Sequence, residues 1–438
     1  MEESSFEEKR LYKNSSIEIN SCRSCGNGEL EEIINLGPHY ISNFVDDEKI
    51  TGTKVPLDLV LCNEEAGGCG LLQLKHNAPQ KEMWGETYWY KSAINPTIRK
   101  DLKDIVKNAE RLKSLNEGDI VIDIGCNDGT MMTYYESKNI KKIGFDPSGN
   151  VAKEAAEKGI KVVNDFYKKE NFKKEFGDEK AKIITAISMF YDLENPNKFL
   201  EGVNECLSDE GLFIIQQNYL VKMLENTGLD NICHEHREYY CVRSLENLLN
   251  KHNLETFDII QNGINGGSIR NYIRKKGSNL TQDPGAEERI REIQNHERSL
   301  GLNTLKPYED FAERVDNVKD KVVSFIRSET EKGKIVCGSG ASTKGNTTLQ
   351  YFGLGPDLIK AIEEKNPEKF GKKTIGTFIP IDSPEKIESM KPDYLMVLVW
   401  YFLDDVKRNQ KEFLDRGGKL IVPLPVPKVV SKDSEFLL

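Results

Sequence analysis

Short apolar runs alternate with stretches of helical character from residue 119 onward, and this alternation restricts the fold more than any other feature of the chain. The apolar runs are residues 119–126, 141–146, 161–165, 181–188 and 211–217. Helical patterns lie between them, for example at residues 150–159 and 196–207. Strands that alternate with helices form a mostly parallel sheet covered on both faces. We therefore predict an α/β fold with a Rossmann-like central domain at residues 81–283.

A second α/β unit follows a charged helical region at residues 284–332. One apolar stripe runs along that region, made of Phe311, Val315, Val318, Val322, Phe325 and Ile326. Apolar runs then return at residues 334–340, 358–364, 394–400 and 419–425. This pattern predicts a C-terminal Rossmann-like α/β domain that spans residues 284–438.

Four of the nine cysteines form two short pairs near the start of the chain. Cys22 and Cys25 are a C-x2-C pair, and Cys62 and Cys69 are a C-x6-C pair with glycines around it. Four thiolates form a tetrahedron for a structural Zn²⁺, which supplies folding energy that a small loop-rich core lacks. Reduced cysteines that fall in pairs by chance are the alternative. The spacing predicts a small zinc-binding N-terminal domain at residues 17–80.

Composition excludes several classes of partner. The 61 Lys and Arg residues are outnumbered by 71 Asp and Glu residues, so no net positive charge attracts nucleic acid or an anionic membrane. The longest apolar run, residues 394–403, has half the length of a membrane-spanning helix. Because the first residues are acidic and polar, they do not resemble a secretory signal. We expect a cytoplasmic protein that binds neither nucleic acid nor membrane.

A glycine loop follows the first apolar run of the central domain. Asp123 ends that run, Gly125 and Gly129 come next, and Asp146 ends the following run. Glycines permit close approach of the backbone to a ligand, and a carboxylate about 20 residues later suits ribose hydroxyls. A nicotinamide cofactor would also fit, but its G-x-G-x-x-G spacing is absent. A turn that needs glycine for a positive φ is the structural alternative.

The D-x-G-x-x-x-G loop and the Asn-Asp-Phe run at residues 164–166 resemble class I S-adenosylmethionine methyltransferases. That resemblance implies a cofactor site at the strand ends, which includes Asp123. Its glycine loop would line the amino-acid end of the cofactor through Gly125, Asn127 and Gly129. In the same resemblance, Asp146 holds the ribose.

The resemblance assigns three further residues to the adenine and methyl ends of the cofactor. Asp165 would accept a hydrogen bond from the adenine N6, and Phe166 would lie beside the ring. Ser188 ends the fourth predicted strand, near the methyl donor. Four successive strand ends therefore agree on S-adenosylmethionine as the cofactor.

Two of the six histidines fall in one triplet, His234-Glu235-His236. A histidine beside a carboxylate suits proton abstraction, because imidazole titrates near neutral pH and the carboxylate stabilises its charged form. A metal site would need further ligands and lacks the H-x-x-x-H spacing, and an incidental helix cap is the remaining alternative. We predict that this triplet supplies a general base.

The C-terminal unit has its own glycine loop between a strand and a helix start, at residues 334–346. Gly340, Lys344 and Asn346 lie in it. Backbone amides at a helix N-terminus bind phosphate, and the lysine adds a positive charge. The order of residues differs from a Walker loop, so the loop alone predicts only a weak phosphate cradle.

The order of these motifs resembles the sugar C-methyltransferase family over about residues 20–430. The zinc segment and the core with its E-H pair are followed by G-x-G-A-x-x-K-G-N, and then by motifs at residues 365–369, 376–381 and 423–425. The resemblance implies methylation at carbon of a nucleotide-linked keto-deoxysugar that lies between the central and C-terminal domains. His236 matches the E-H histidine, which removes the α-proton with help from Glu235. The oligomeric state stays open.

Two family pocket motifs are also implied. Tyr88 and Tyr90 resemble a tyrosine motif that enters the pocket, although aromatic packing between domains explains them equally well. Asn265, Ser268 and Arg270 resemble a motif that follows a strand, and a glycine bend with a surface arginine is the alternative. Both motifs are expected to bind or orient the substrate.

Two positions depart from the family pattern. Cys233 stands where members often have tyrosine, and residues 188–193 hold no histidine where some members have one. His234 or Tyr191 is the candidate to replace those groups. An O- or N-methyltransferase for another nucleotide-linked or natural-product substrate, and a non-catalytic zinc-and-nucleotide scaffold, are the competing functions.

Overall fold

The computed structural model describes residues 17–49, 52–85 and 88–438. The sequence interpretation of residues 1–16, and of Glu86 and Thr87 beside the tyrosine motif, lies outside the described residues. Within the described ranges, no helix is both long enough and apolar enough to span a membrane.

The N-terminal unit is a small antiparallel sheet with short connections. Its elements are β1 (Ile17–Glu18), β2 (Leu30–Tyr40), β3 (Phe44–Val45), β4 (Lys54–Cys62), β5 (Leu72–Leu74), β6 (His76–Asn77) and α1 (Gln80–Met83). Strands β2, β4 and β5 pair in that order. Both cysteine pairs lie in or beside the loops at one end of this sheet, where β4 ends at Cys62.

The central unit contains the strands predicted from the apolar runs. Its strands are β7 (Ile120–Ile124), β8 (Lys141–Phe145), β9 (Lys161–Val163), β10 (Ala181–Ile187), β11 (Leu207–Asn218), β12 (Glu238–Tyr239), β13 (Leu254–Asn262) and β14 (Ser268–Lys275). Its helices are α2 (Pro96–Leu112), α3 (Gly149–Glu157), α4 (Lys169–Phe176), α5 (Pro196–Cys206), α6 (Leu220–Glu225) and α7 (Val242–Lys251). Helix α2 begins where Asn95 accepts a hydrogen bond from the Thr97 backbone N–H at 2.8 Å.

Seven of these strands form one sheet in the order β13-β14-β11-β10-β7-β8-β9. Strands β11, β10, β7, β8 and β9 pair in parallel, whereas β14 runs antiparallel to both of its neighbours, β11 and β13. The fold prediction is therefore confirmed for this unit. Because parallel strands end at the same edge, the loops after β7, β8 and β10 converge there.

The C-terminal unit is a second, mostly parallel sheet preceded by two helices. Its helices are α8 (Ala286–Ser299), α9 (Lys306–Glu331), α10 (Thr343–Phe352), α11 (Pro384–Ser389), α12 (Leu403–Asn409) and α13 (Lys411–Asp415). Its strands are β15 (Val336–Ser339), β16 (Ile362–Glu363), β17 (Lys373–Thr374), β18 (Ile381–Asp382), β19 (Tyr394–Val397), β20 (Lys419–Val422), β21 (Lys428–Val430) and β22 (Glu435–Leu437). The sheet order is β18-β16-β15-β19-β20-β21-β22. The predicted apolar stripe of α9 is buried, except that Phe325 is partly exposed.

Strand pairing joins the N-terminal unit to both of the others. Strand β12, directly after the histidine triplet, adds to the N-terminal sheet by pairing with β5. Strand β17 of the C-terminal unit pairs with β3. One continuous apolar core includes Leu59, Leu220 and Val336, which come from the three different units. The position of the histidine triplet is therefore fixed by contacts with the zinc-binding unit.

Candidate metal centre and active site

The four paired cysteines meet in space. Their sulfur atoms all lie within 4.8 Å of one another. The Sγ atoms are 3.6 Å apart for Cys22 and Cys69, and 3.4 Å apart for Cys25 and Cys62. A tetrahedral zinc site with Zn–S bonds of about 2.3 Å places its sulfur atoms about 3.8 Å apart. The cluster therefore fits a zinc ion with four protein ligands, which leaves no open position for substrate.

The metal cluster is packed into the central unit. The backbone carbonyl of Ser24 accepts hydrogen bonds from Asn197 Nδ2 at 3.1 Å and Lys251 Nζ at 3.0 Å. Cys22 and Cys62 belong to the same apolar cluster as Phe190 and other core residues of the central sheet. We infer that the ion supports the fold of the catalytic unit and takes no part in the reaction.

A cavity opens at the carboxyl edge of the central sheet and has an acidic lining. Its carboxylates are Asp101, Asp123, Asp146, Asp192 and Glu194. Among the described residues, no lysine, arginine or histidine lines this cavity. Negative charge attracts a sulfonium cation and repels the diphosphate of a dinucleotide. The donor set therefore fits S-adenosylmethionine.

Asp146 is presented to the cavity by backbone hydrogen bonds. Its carboxylate accepts from the N–H groups of Asn127 and Ser148, each at 2.9 Å. Burial raises the pKa of Asp146, and these two hydrogen bonds act in the opposite direction. Each carboxylate oxygen keeps a lone pair for another donor, such as a ribose hydroxyl.

Three other cofactor residues from the sequence analysis line the cavity beside it. Burial raises the pKa of Asp123 to about 7, and Thr185 Oγ1 donates to its carboxylate at 2.8 Å. Gly125 has φ of +72°, and a Cβ there would lie 3.0 Å from Met189, so the turn requires glycine. Ser188 is held with a positive φ of 54°.

Two predicted cofactor residues lie elsewhere. Gly129 does not line the cavity, and a Cβ there would lie 2.4 Å from Ile160 Cδ1, so this glycine permits packing. The Asp165 carboxylate accepts from Lys168 Nζ at 3.0 Å and Asn171 Nδ2 at 3.1 Å, also outside the cavity lining. Phe166, the next residue, does line the cavity.

The tyrosine segment lies across the cavity. Tyr88 and Tyr90 both line it. Asn127 Nδ2 donates to the Tyr90 carbonyl at 3.0 Å, and Asn127 Oδ1 accepts from the Ser92 N–H at 2.9 Å. Asn150 exchanges two further hydrogen bonds with the Tyr88 backbone. Asn127 therefore holds residues 90–92 against the glycine loop, a contact that the sequence did not predict.

His236 is held in one tautomer. Its Nδ1 lies 3.0 Å from the carbonyl oxygen of Asn231, and a carbonyl only accepts, so Nδ1 carries the proton and Nε2 is an acceptor. Its ring packs edge-on against Tyr191, with 4.4 Å between centroids. Burial, and then the charge of Lys344, lower the pKa of His236 to about 3. The imidazole is therefore neutral at pH 7.

The other members of the triplet have different environments. His234 is buried, and its Nε2 donates to the Val55 carbonyl at 2.9 Å, which ties it to β4. Burial lowers the pKa of His234 to about 4. Glu235 is buried, and its Oε2 has no hydrogen-bond partner within the described residues. Burial and Glu235 together raise the pKa of Asp192, a cavity residue that the sequence analysis missed.

The predicted substrate motif after β13 makes mostly internal contacts. Arg270 is 1% exposed and is not a surface arginine; it pairs with Asp101 at 2.9 Å and Asp104 at 2.8 Å. Ser268 Oγ donates to a backbone carbonyl of the preceding turn at 2.9 Å. Only Asn265 of this motif lines the cavity.

The C-terminal glycine loop faces the central unit. Gly340 has a positive φ, and a Cβ there would lie 2.8 Å from Val399. Lys344 Nζ donates to Asn231 Oδ1 at 2.7 Å. Asn346 is 1% exposed, and neither polar atom of its side chain has a partner in the described part of the chain.

Known proteins and family profiles match nearly the whole chain. Family profiles match a zinc binding domain at residues 22–84, a methyltransferase domain at residues 96–258 and a C-methyltransferase C-terminal domain at residues 263–425. The curated C-methyltransferase NovU from Streptomyces niveus is 31% identical over 425 residues, which cover 95% of this chain and 98% of that protein.

Solved structures resemble a smaller part of the chain. An S-adenosylmethionine-dependent methyltransferase from Clostridium acetobutylicum is 14% identical, with 41% of this chain and 92% of that chain covered and a TM-score of 0.32. The PH0226 protein from Pyrococcus horikoshii is 16% identical, with 43% and 95% covered and a TM-score of 0.35. From the full-length match to NovU and the three profiles, the chain belongs to the C-methyltransferase family, with S-adenosylmethionine as its cofactor and zinc as a structural ion.

Proposed function

We propose that this enzyme methylates a nucleotide-linked 4-keto-deoxysugar at the carbon beside the ketone, in the cytoplasm. The observation that carries the proposal is the neutral His236 with its proton fixed on Nδ1. Its Nε2 lone pair can accept a carbon-bound proton, whereas an O- or N-methyltransferase needs no enolising base. The lowered pKa makes the free ring a weak base, so the proposed step requires negative charge beside the imidazolium as it forms. We keep the domain limits 17–80, 81–283 and 284–438 as part of this proposal.

The substrate would lie between the central and C-terminal units. A cleft of about 670 Å³ separates them, and its lining includes Lys222, Trp400 and Arg408. Gly266 lines this cleft, and the residue before it, Asn265, lines the acidic cavity. We assign the nucleotide to this cleft and the sugar ring to the side of the acidic cavity that Tyr88 lines. His236 does not line that cavity, and its ring packs on Tyr191.

The proposed chemistry uses His236 as the base. Its Nε2 takes the α-proton, so the electron pair of the C–H bond forms the enolate. S-adenosylmethionine, when bound, would supply an electrophilic methyl group for the enolate carbon, with the electron pair of its C–S bond leaving on the sulfur of S-adenosylhomocysteine. The imidazolium then returns its proton to water. Of the implied cofactor residues, we retain Asp123, Gly125, Asn127, Asp146, Phe166 and Ser188, which reach the cavity.

Asp146→Ala should weaken S-adenosylmethionine binding by about 1.5–3 kcal/mol, the usual worth of a hydrogen bond to a charged group. Titration calorimetry would measure the loss, and a melting curve would check that the variant is folded. Asp165→Asn is the matched control, because that carboxylate lies outside the cavity lining and should leave the affinity unchanged. Equal effects of the two substitutions would contradict this assignment of the ribose site.

Hydrogen exchange at the sugar tests the proposed function. Wild-type enzyme in deuterium oxide, without methyl donor, should introduce deuterium at the α-carbon of at least one member of a panel of nucleotide-linked 4-keto-deoxysugars. Mass spectrometry would detect the added mass. A panel member that is methylated by the complete system but never exchanges would argue for O- or N-methylation.

A further inference from the structure

We propose that Lys344, supplied by the C-terminal unit, is a catalytic residue that stabilises the negative oxygen of the enolate. This role replaces the phosphate binding that the sequence predicted for the glycine loop at residues 334–346. The inference rests on the proposed function, because it assumes that the reaction passes through an enolate formed by His236. Lys344 would stabilise the negative charge that develops on the ketone oxygen.

The first observation is the position of the ammonium group. Helix α10 packs against the turn Leu229–Asn231 of the central unit. Asn231 accepts from Lys344 Nζ through its side-chain oxygen at 2.7 Å, and from His236 Nδ1 through its backbone oxygen at 3.0 Å. One residue therefore holds both the cation and the proposed base. The ring of Tyr401 lies 5.1 Å from Nζ on another side.

The second observation is that this cation has no close anion. Lys344 is 8% exposed, and no ion pair within 4.0 Å joins its Nζ to a carboxylate of the described residues. Burial lowers the pKa of Lys344, whereas Asp230 and then Cys233 favour its charged form without forming an ion pair with it. A buried ammonium without a paired anion is costly, so the site favours a ligand that brings negative charge. An ammonium has three donors, and Asn231 occupies one of them.

The third observation argues against phosphate as that anion. Two amides at the start of α10 are already bonded within the loop, since Gly345 N–H donates to Ser342 Oγ and Asn346 N–H to Ser342 O, each at 2.9 Å. The interdomain cleft has cations of its own, including Lys222 and Arg408, and Lys344 does not line it. The cleft therefore offers a diphosphate positive partners other than Lys344.

The chemistry of the step fits a cation at this place. When the α-carbon loses its proton to His236 Nε2, the C–H electron pair forms a C=C bond and the carbonyl electrons move onto oxygen. The same transfer creates an imidazolium near Lys344, and two buried like charges repel. A negative oxygen beside them offsets both charges. Lys344 should thus bind the transition state more strongly than the ground state, which raises kcat.

Lys344→Met in the full-length enzyme tests this assignment. Deuterium exchange and kcat should both fall by roughly 10²–10³-fold, as when one oxyanion donor is removed. Calorimetry should give wild-type affinities for S-adenosylmethionine and for a nucleoside diphosphate without sugar. Lys344→Gln, which keeps a donor for Asn231 without the charge, should be folded and equally impaired. Lys360→Met, an exposed lysine of the same unit, is the control and should exchange normally.

The pH dependence of deuterium exchange distinguishes a catalytic role of Lys344 from a purely structural one. Burial, and then the charge of Lys344, hold the pKa of His236 low. Without that charge the acid limb of the exchange profile should move part of the way upward toward about 6.5, the ordinary imidazole value, because burial remains. The other titratable groups that act on this pair are Asp230 and Cys233; Tyr401 lies beside Lys344, and Tyr191 packs on His236. All four are unchanged in the variant.

Two results would overturn the inference. If Lys344→Met and Lys344→Gln exchange at the wild-type rate under saturating substrate but bind the nucleoside diphosphate weakly, the lysine is a phosphate anchor. If both variants exchange normally and bind normally, the lysine has no part in the reaction. A lack of exchange by the wild-type enzyme would instead overturn the proposed function, and this inference with it.

Discussion

Replacing His236 with alanine is expected to lower turnover by roughly 10²–10⁴-fold, the usual contribution of a general base. His236→Asn should lose as much, because an amide cannot accept a proton at neutral pH. Solvent deuterium should no longer enter the sugar α-carbon in either variant. The affinities for S-adenosylmethionine and for a nucleoside diphosphate should change little, since neither contact is assigned to this residue.

His234→Gln separates the two histidines of the triplet. His234 bonds to the Val55 carbonyl in β4, so its replacement should lower the melting temperature while the folded fraction keeps its turnover. Stopped deuterium exchange in His234→Gln, combined with normal exchange in His236→Ala, would reverse the two roles. Comparing both variants in one assay therefore decides which imidazole is the base.

The low pKa of His236 also predicts how the free energy of unfolding changes with pH. The folded state holds the neutral ring with a pKa of about 3, whereas an unfolded chain has the ordinary value of about 6.5. The unfolded state therefore binds more protons between these values, and the free energy of unfolding should fall as the pH falls from about 6.5 toward 3. His236→Asn should show a smaller fall over that window in urea titrations. Equal slopes for the two proteins would contradict the buried neutral ring.

Cys25→Ser is expected to abolish stoichiometric zinc and to destabilise the protein severely. Structural zinc in thiolate sites contributes about 10–16 kcal/mol of binding free energy, and a domain's net stability is only about 5–15 kcal/mol. Cys25 is only half-buried, so lost packing by its own side chain explains little of such an effect. Metal analysis and a melting curve would measure both consequences.

The matched control is Cys206→Ser, a cysteine of the same apolar cluster that lies outside the metal tetrad. That variant should keep one zinc ion per chain. Destabilisation by Cys25→Ser should reach the central unit, because Asn197 and Lys251 of that unit bond to the backbone of the first cysteine pair. Wild-type protein that is folded without zinc would contradict the metal assignment.

Apolar runs predicted both sheets because a strand buried on two faces leaves a continuous signature along the sequence. The strand ends then identified Asp123 and Asp146 as neighbours. Strand β12 was not foreseen, since its two residues carry no pattern and their pairing with β5 is a contact between distant segments. The link between the histidine triplet and the zinc-binding unit is therefore visible only in three dimensions.

The partners of long charged side chains in the site could not be predicted from the sequence. A motif shows that Arg270 follows a strand, but its partners Asp101 and Asp104 lie on α2, about 170 residues earlier. In the same way, Lys344 at a helix start suggested phosphate, whereas its ammonium group turns toward Asn231. Sequence position fixes the Cα atom of such a residue, and tertiary contacts decide where its charge lies.

The most direct test of C-methylation follows a labelled methyl group into the product. The enzyme would be given a 4-keto sugar nucleotide deuterated at the α-carbon, with S-adenosylmethionine labelled with carbon-13 in its methyl group. Mass spectrometry and NMR should show the labelled methyl bonded to the α-carbon in place of one deuterium. A labelled methyl on oxygen or nitrogen, with all α-deuterium retained, would contradict the account.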